Sequence, residues 1–221
     1  MNREQNALDL AADKARALAL TPVSRETLAR LELYVQLLLR WQQTTNLISP
    51  ATIPHLWTRH IADSLQLIAL APDAKIWVDL GSGGGFPAIP IACALAGKPG
   101  VTIHLVESNG KKAAFLREAI RATGVPAQVH ADRIEKYTAG HVNSVDVVTA
   151  RALAPLKTLC DQAFPLIERG AIGLFLKGLD VDTELTEASK YWKLEAEKLS
   201  SKTSPDGCIV AVRNLKPQFT T

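Results

Sequence analysis

Trp77-Val78-Asp79-Leu80-Gly81-Ser82-Gly83-Gly84-Gly85-Phe86-Pro87 decides the fold of this 221-residue chain. An apolar run with an acidic residue near its end enters a glycine-dense turn, and a helix-forming stretch follows. Glycine permits a tight reversal with dihedrals that other residues resist, and it lets a ligand lie against bare backbone. The helix behind such a turn presents unpaired N–H groups and the positive end of its dipole. These features together point to a nucleotide or nucleoside site.

Glycine spacing narrows the choice. The dinucleotide fingerprint is G-x-G-x-x-G, its third glycine allowing close packing of helix on strand. Counted from Gly81 and Gly83, that third position is Phe86, which weighs against a nicotinamide-dependent dehydrogenase. What stands instead is acidic-x-G-x-G-x-G, with Asp79, Gly81, Gly83 and Gly85. It resembles the first motif of the S-adenosylmethionine-dependent methyltransferases, whose ligand has no pyrophosphate. A purely structural strand-to-helix turn is the alternative for the motif taken alone.

From residue 75 onward strand and helix signals alternate. Strands are expected at 76–80, 101–106, 127–130, 145–150, 171–176, 192–199 and 209–212. Helices are expected at 87–96, 111–123, 134–137, 156–167 and about 182–190. This alternation argues for an α/β, Rossmann-like fold: a seven-stranded, mostly parallel sheet with helices on both faces. The last two strands are joined by the turn-forming Ser204-Pro205-Asp206-Gly207, which fits an antiparallel edge hairpin. Ahead of this domain, at 71–221, residues 1–70 read as a helical N-terminal region. A helix over 1–19 breaks at Thr21-Pro22. Ser24 caps a second helix whose Leu28, Leu31, Val35, Leu38 and Leu39 recur at helical spacing. A turn-rich joint at 46–54 precedes a third helix at 56–70.

Composition sets bounds on function. At 47% hydrophobic and 21% charged, the chain is ordinary for a soluble globular protein. The longest mostly apolar run, 86–97, is too short for a bilayer and carries Pro87 and Pro90. The first residues mix charges and amides with no apolar signal core, so a cytoplasmic location is expected. Cys93, Cys160 and Cys208 are odd in number and far apart, which favours free, partly buried thiols over a disulfide framework. The five histidines lack metal-ligand spacing, and no bound metal is expected. Stoichiometric zinc in purified protein would contradict that. A net charge of +3 permits a polyanionic partner without requiring one.

Ligands of open parallel sheets sit at the carboxyl ends of the strands. The first strand ends at Asp79 and Gly81, and the second at Glu107, where a carboxylate can accept both hydroxyls of a ribose. The third ends in an acid-bearing loop, Asp132-Arg133-Ile134-Glu135, where an adenine edge can be read. The fourth ends at Arg151, at the mouth of the site. For each residue alone, a helix cap or a solvated loop charge is the alternative. His60 and Asp63, at i and i+3 on one helix, read as a structural pair that buttresses the site rather than acting in it.

Asp79-Leu80-Gly81-Ser82-Gly83-Gly84-Gly85-Phe86-Pro87-Ala88-Ile89-Pro90, with its double-proline helix start, resembles the RsmG (GidB) family of small-subunit ribosomal RNA guanine-N7 methyltransferases. The likeness continues in Asn46-Leu47, Arg59-His60-Ile61-Ala62-Asp63-Ser64-Leu65, Glu107-Ser108-Asn109-Gly110-Lys111-Lys112, Phe115-Leu116, Asp132-Arg133-Ile134-Glu135, Arg151-Ala152 and Leu176-Lys177-Gly178. Ala88 stands where the family usually has glycine, Glu107 where it often has aspartate, and Cys208 where a basic residue is expected nearby. The resemblance implies S-adenosyl-L-methionine as cofactor and Gly81, Phe86, Ile134, Glu135 and Arg151 as its contacts. Asp79, Gly83 and Glu107 join them from the strand-end reading. It also implies methyl transfer to N7 of a guanine in small-subunit (16S) ribosomal RNA, free or within the subunit or a precursor.

Guanine N7 carries a lone pair and no proton, so no acid or base is expected among the site residues. Arg151 is expected to position substrate and cofactor. Arg59, Lys111, Lys112, Arg133, Lys177 and Arg213 are candidates for gripping RNA phosphates. The chain is long enough to act as a monomer. Two competing readings stay open: a methyltransferase with another class of substrate, and a non-catalytic cofactor- or RNA-binding assembly factor on the same fold.

Overall fold

The computed structural model describes residues 3–140 and 144–219. Two helices, α1 (Arg3–Leu20) and α2 (Arg25–Gln42), open the chain; Met1 and Asn2 of the expected first helix lie outside the described residues. Ser24 caps α2 as expected, its hydroxyl accepting from Thr27 N–H at 3.2 Å. The expected turn-rich joint and third helix prove to be one winding segment. A 3₁₀ stretch (Pro50–His55) leads to a π-helical stretch (Trp57–Ala62), a single α-turn α3 (Asp63–Leu65) and a second 3₁₀ stretch (Gln66–Leu70).

The alternating region follows as β1 (Ile76–Leu80), α4 (Ala88–Leu95), β2 (Thr102–Val106), α5 (Gly110–Thr123), β3 (Ala127–His130), α6 (Ile134–Gly140), β4 (Val147–Arg151), α7 (Leu156–Ile167), β5 (Ile172–Lys177), α8 (Val181–Ser189), β6 (Trp192–Ser200) and β7 (Cys208–Pro217). All seven expected strands form one sheet, in the order β3-β2-β1-β4-β5-β7-β6. β7 is the reversed strand, antiparallel to both β5 and β6, so the expected edge hairpin is present. It is longer than the apolar pattern implied: β7 runs on to Pro217 through Arg213, Asn214 and Lys216. Pairing with β6 there satisfies its backbone whatever the side chains.

Successive strand residues point to opposite faces, and the two cores divide accordingly. Trp77, Ile103, Leu105 and Val147 face one core, together with α4, α5 and the N-terminal helices. Val78, Leu80, Val106, Val148 and Phe175 face the other, with α6, α7 and α8. The Asp146 carboxylate fixes the start of β1, accepting from the N–H groups of Lys75 and Ile76 at 2.7 and 2.8 Å. Asn109 caps α5 by accepting from Lys111 and Lys112 N–H, and Gly124 ends it at φ +63°. The order of strands reverses between β1 and β4, which places the switch point beside the glycine turn.

Candidate functional site

The glycine turn is built by hydrogen bonds to the end of β2. Gly81 and Ser82 N–H both donate to the Val106 carbonyl, at 2.9 and 3.1 Å. Gly81 has φ +66°, and a Cβ there would stand 2.5 Å from Leu153 Cδ1. The backbone dihedral therefore selects glycine, and a side chain there would also have to displace Leu153. Gly83 N–H donates to Glu107 Oε2 at 2.8 Å, and Asn109 N–H to Glu107 Oε1 at 2.7 Å. Two backbone donors thus orient the Glu107 carboxylate, and each of its oxygens keeps acceptor capacity.

A cleft of about 550 Å³ opens above this turn. Gly81, Gly83, Phe86, Glu107, Ile134 and Arg151 line it, so six of the residues named from sequence meet there. Asp79 and Glu135 do not. Asp79 is buried at the end of β1, with Oδ1 accepting from the Thr149 hydroxyl at 2.8 Å and Oδ2 lacking any partner. Burial pushes its carboxyl up to about 7. Glu135 is exposed on α6 and its carboxylate accepts from Gln162 Nε2 at 2.9 Å.

Arg151, the last residue of β4, is held on three sides. Its Nε lies 3.4 Å from Asp63 Oδ2, one Nη donates to the Arg59 carbonyl at 2.7 Å, and the other donates to His60 Nδ1. That last contact makes Nδ1 an acceptor, so the proton of the neutral ring sits on Nε2 and is donated to Thr52 Oγ1, 2.8 Å away. Burial, reinforced by Arg151 and Arg59, lowers the His60 pKa to about 3. The His60 ring also packs on Phe86, with centroids 4.8 Å apart. The His60 and Asp63 side chains are not bonded to each other, as the expected pair would be; each instead contacts Arg151. Two terminal N–H groups of the guanidinium donate hydrogen bonds and Nε faces Asp63 as an ion pair, which leaves two of the five N–H groups unengaged among the described residues.

Residues 27–208 match the family model described as rRNA small subunit methyltransferase G (GidB). The chain belongs to this family. A methyltransferase G of Bradyrhizobium sp. strain BTAi1 is 64% identical over 92% of this chain and 91% of its own length. One from Rhodopseudomonas palustris strain BisB18 is 60% identical over 95% and 90%. Among solved structures, an O-methyltransferase from Bacillus cereus in complex with SAH superposes with a TM-score of 0.60 at 16% identity, covering 94% of this chain and 99% of that one. A putative O-methyltransferase from Klebsiella pneumoniae gives 0.61 at 14% identity, over 95% and 99%. At such identities the likeness is one of fold, and it shows the Rossmann-like methyltransferase architecture.

Several cleft residues escaped the sequence reading. Ile48, Ser49 and Thr52 come from the segment before the sheet, and Leu153 from the loop after β4. Only Asn46-Leu47 hinted at the first group. Of the proposed phosphate contacts, Lys112 lines the cleft, Arg59 stands at its edge, and Lys111, Arg133 and Arg213 are exposed. Lys177 is a correction. It is largely buried and engaged by Glu184 Oε2 at 2.5 Å and the Ala154 carbonyl at 3.0 Å, which leaves it poorly placed to grip a phosphate. All three cysteines are free and buried. No helix of the described residues is long and apolar enough to cross a membrane.

Proposed function

We propose that this chain transfers a methyl group from S-adenosyl-L-methionine to N7 of a guanine in small-subunit (16S) ribosomal RNA. The observation that carries the reading is a junction: the bare backbone of Gly81 and Gly83, the Glu107 carboxylate and Arg151 all face one cleft. The names of its relatives supply the substrate class, and the family resemblance supplies the atom.

The residues fit the cofactor. The positive-φ turn at Gly81 is a cradle that a Cβ would fill. Gly81 and Gly83 would receive the amino-acid end, and Glu107 the ribose hydroxyls. Ile134 would pack against adenine, with Glu135 alongside through its main chain and Phe86 closing the floor. Asp79 would act from beneath, holding the turn rather than touching the ligand. When bound, the group supplies an electrophilic methyl on a sulfonium.

The protein's own part is alignment. Because N7 has a lone pair and no proton, no general base is needed, and the two free N–H groups of Arg151 position the partners. His60 is unsuited to proton transfer, since its Nδ1 is occupied and its basicity suppressed. The chain works as a cytoplasmic monomer on the rRNA, free or within the subunit or its precursor. Residues 1–70 form the helical wall over the methyltransferase domain at 71–221.

The test is incorporation of labelled methyl into small-subunit rRNA that lacks the modification, followed by digestion to nucleosides. Label in 7-methylguanosine is expected. No incorporation into naked rRNA or intact subunits would overturn the reading.

A further inference from the structure

A second cavity, of about 440 Å³, adjoins the cleft and shares Arg59, Arg151 and Ala152 with it. Its place follows from the strand order. The cleft stands over the ends of β1 and β2, on one side of Arg151. The second cavity takes its other walls from the end of β5 and the segment after it, residues 176–180, and from the β6–β7 turn, on the far side. Ala152, in the shared wall, has φ +49° and is the one non-glycine residue in the left-handed region among those described. Strain of this kind, about 1–2 kcal/mol, collects at functional sites.

The charges in this cavity are unusual for a protein that binds a polyanion. Asp63, Asp180, Glu184 and Asp206 line it, against Arg59, Arg151 and Lys177. Asp63 is paired with Arg151 and Glu184 with Lys177. Asp180 and Asp206 are exposed and enter none of the ion pairs among the described residues. The Asp180 side chain does not cap α8 either. Open carboxylates repel phosphates, so the cavity is ill suited to the RNA backbone. They suit the edge of a base that carries N–H donors.

Guanine is such a base. Its N7 and O6 acceptors lie on one edge, and its N1–H and N2–H₂ donors on the opposite side. With N7 turned to the shared wall, the donors face residues 178–180 and the β6–β7 turn, where Asp180 and Asp206 stand. Leu179, 74% exposed on the same loop, offers an apolar surface for stacking. Enzymes that modify a base take it out of its stack and read it in just this manner, by hydrogen bonds to the Watson–Crick edge and by apolar contact.

We propose that this second cavity receives the extruded target guanine, with Asp180 and Asp206 reading its N1–H and N2–H₂ edge and Leu179 covering its face. The inference rests on the function proposed above. It also gives the charge a use: N7 methylation makes the purine cationic, and the two carboxylates face that cation from across the base.

Asp180→Asn, Asp206→Asn and Leu179→Ala in the full chain test it, with rRNA lacking the modification as substrate. At least one aspartate variant is expected to lose about tenfold or more in kcat/KM for rRNA. Its affinity for S-adenosylmethionine, measured by calorimetry, should stay within about twofold, as should that of Leu179→Ala. Inosine at the target position removes the N2 amine. It should cost the wild type about tenfold and cost nothing further in the variant lacking the carboxylate that reads it. Aspartate variants that methylate like the wild type, an equal inosine penalty in every protein, or tighter rRNA binding with undiminished methylation once a charge is removed would each overturn the pocket. Wild-type protein that binds the cofactor yet forms no 7-methylguanosine overturns the function itself, and this pocket with it.

Discussion

The geometry of Arg151 is tightly specified, because two hydrogen bonds and an ion pair hold its guanidinium. Lysine keeps a charge but has no planar fork to meet acceptors on three sides. Arg151→Lys is therefore expected to lower kcat/KM for rRNA by about a hundredfold or more, while binding of S-adenosylmethionine falls much less. Steady-state methyl transfer alongside calorimetry separates the two effects. His60 and Asp79 lead to a second prediction. The His60 pKa is about 3 in the folded chain against a usual 6.5, so the unfolded chain binds the extra proton between those values. Its contribution to stability is full above pH 6.5 and is lost on acidification. Asp79 is the reverse: with a folded pKa of about 7 against a usual 3.8, the native state binds the extra proton, and stability falls as pH rises through that window. Between pH 4 and 6.5 the two slopes oppose one another. Relative to wild type, melting temperatures of His60→Gln should rise on acidification across this range, and those of Asp79→Asn should fall. A pH series of thermal melts that shows parallel curves would contradict both assignments.

Among the elements, the π-helical stretch Trp57–Ala62 places His60 and the Arg59 carbonyl against Arg151, and its start is fixed by Asp13 of α1. The buried Asp13 carboxylate accepts from Trp57 and Thr58 N–H at 2.8 and 3.1 Å, and from the Thr58 hydroxyl at 2.5 Å. Asp13→Ala should destabilise the fold by about 2–3 kcal/mol, since it strands buried donors. It should also depress methyl transfer by loosening the Arg151 clamp, although Asp13 lines neither cavity. Urea denaturation and rate measurements on the same preparation check the pair of effects. Elements of this kind divide what sequence can disclose from what it cannot. The glycine turn was legible because its determinants are consecutive: a strand, positive-φ glycines, and a helix start. Alternating apolar runs likewise disclosed every strand. The winding of residues 50–70 was not legible, because its turns are set by partners far away in sequence. Asp13 acts across 44 residues, and Arg151 reaches His60 across 91. The Glu135 side chain points away from the cleft for a related reason. Its neighbour Ile134 lines the cleft, but one step along a helix turns the next side chain toward Gln162.

For the molecule as a whole, the question is whether the N-terminal helices fold as a separate unit. Leu31, Tyr34 and Leu38 of α2 and Trp57 and Ile61 of the following segment share one buried cluster with Trp77, Ile89 and Phe115 of the sheet domain. Tyr34 donates its hydroxyl to the Gly84 carbonyl inside the glycine turn, and its ring meets Phe86 at 5.4 Å. Trp41 Nε1 donates to Glu118 of α5 at 3.0 Å. With its apolar face given over to this shared core, the N-terminal region has none of its own to retain once the domain opens, and loss of either part exposes the other. Urea unfolding should therefore be a single transition, with tryptophan emission (Trp41 and Trp57 in the N-terminal segment, Trp77 in β1 and Trp192 in β6) coinciding with far-ultraviolet circular dichroism. Cofactor should shift both curves together, because Leu47, Ile48, Ser49 and Thr52 line the same cleft as the glycine turn. Two separated transitions, with the emission change preceding loss of the sheet signal, would show that the helical wall opens independently and that the cleft is completed only when it docks.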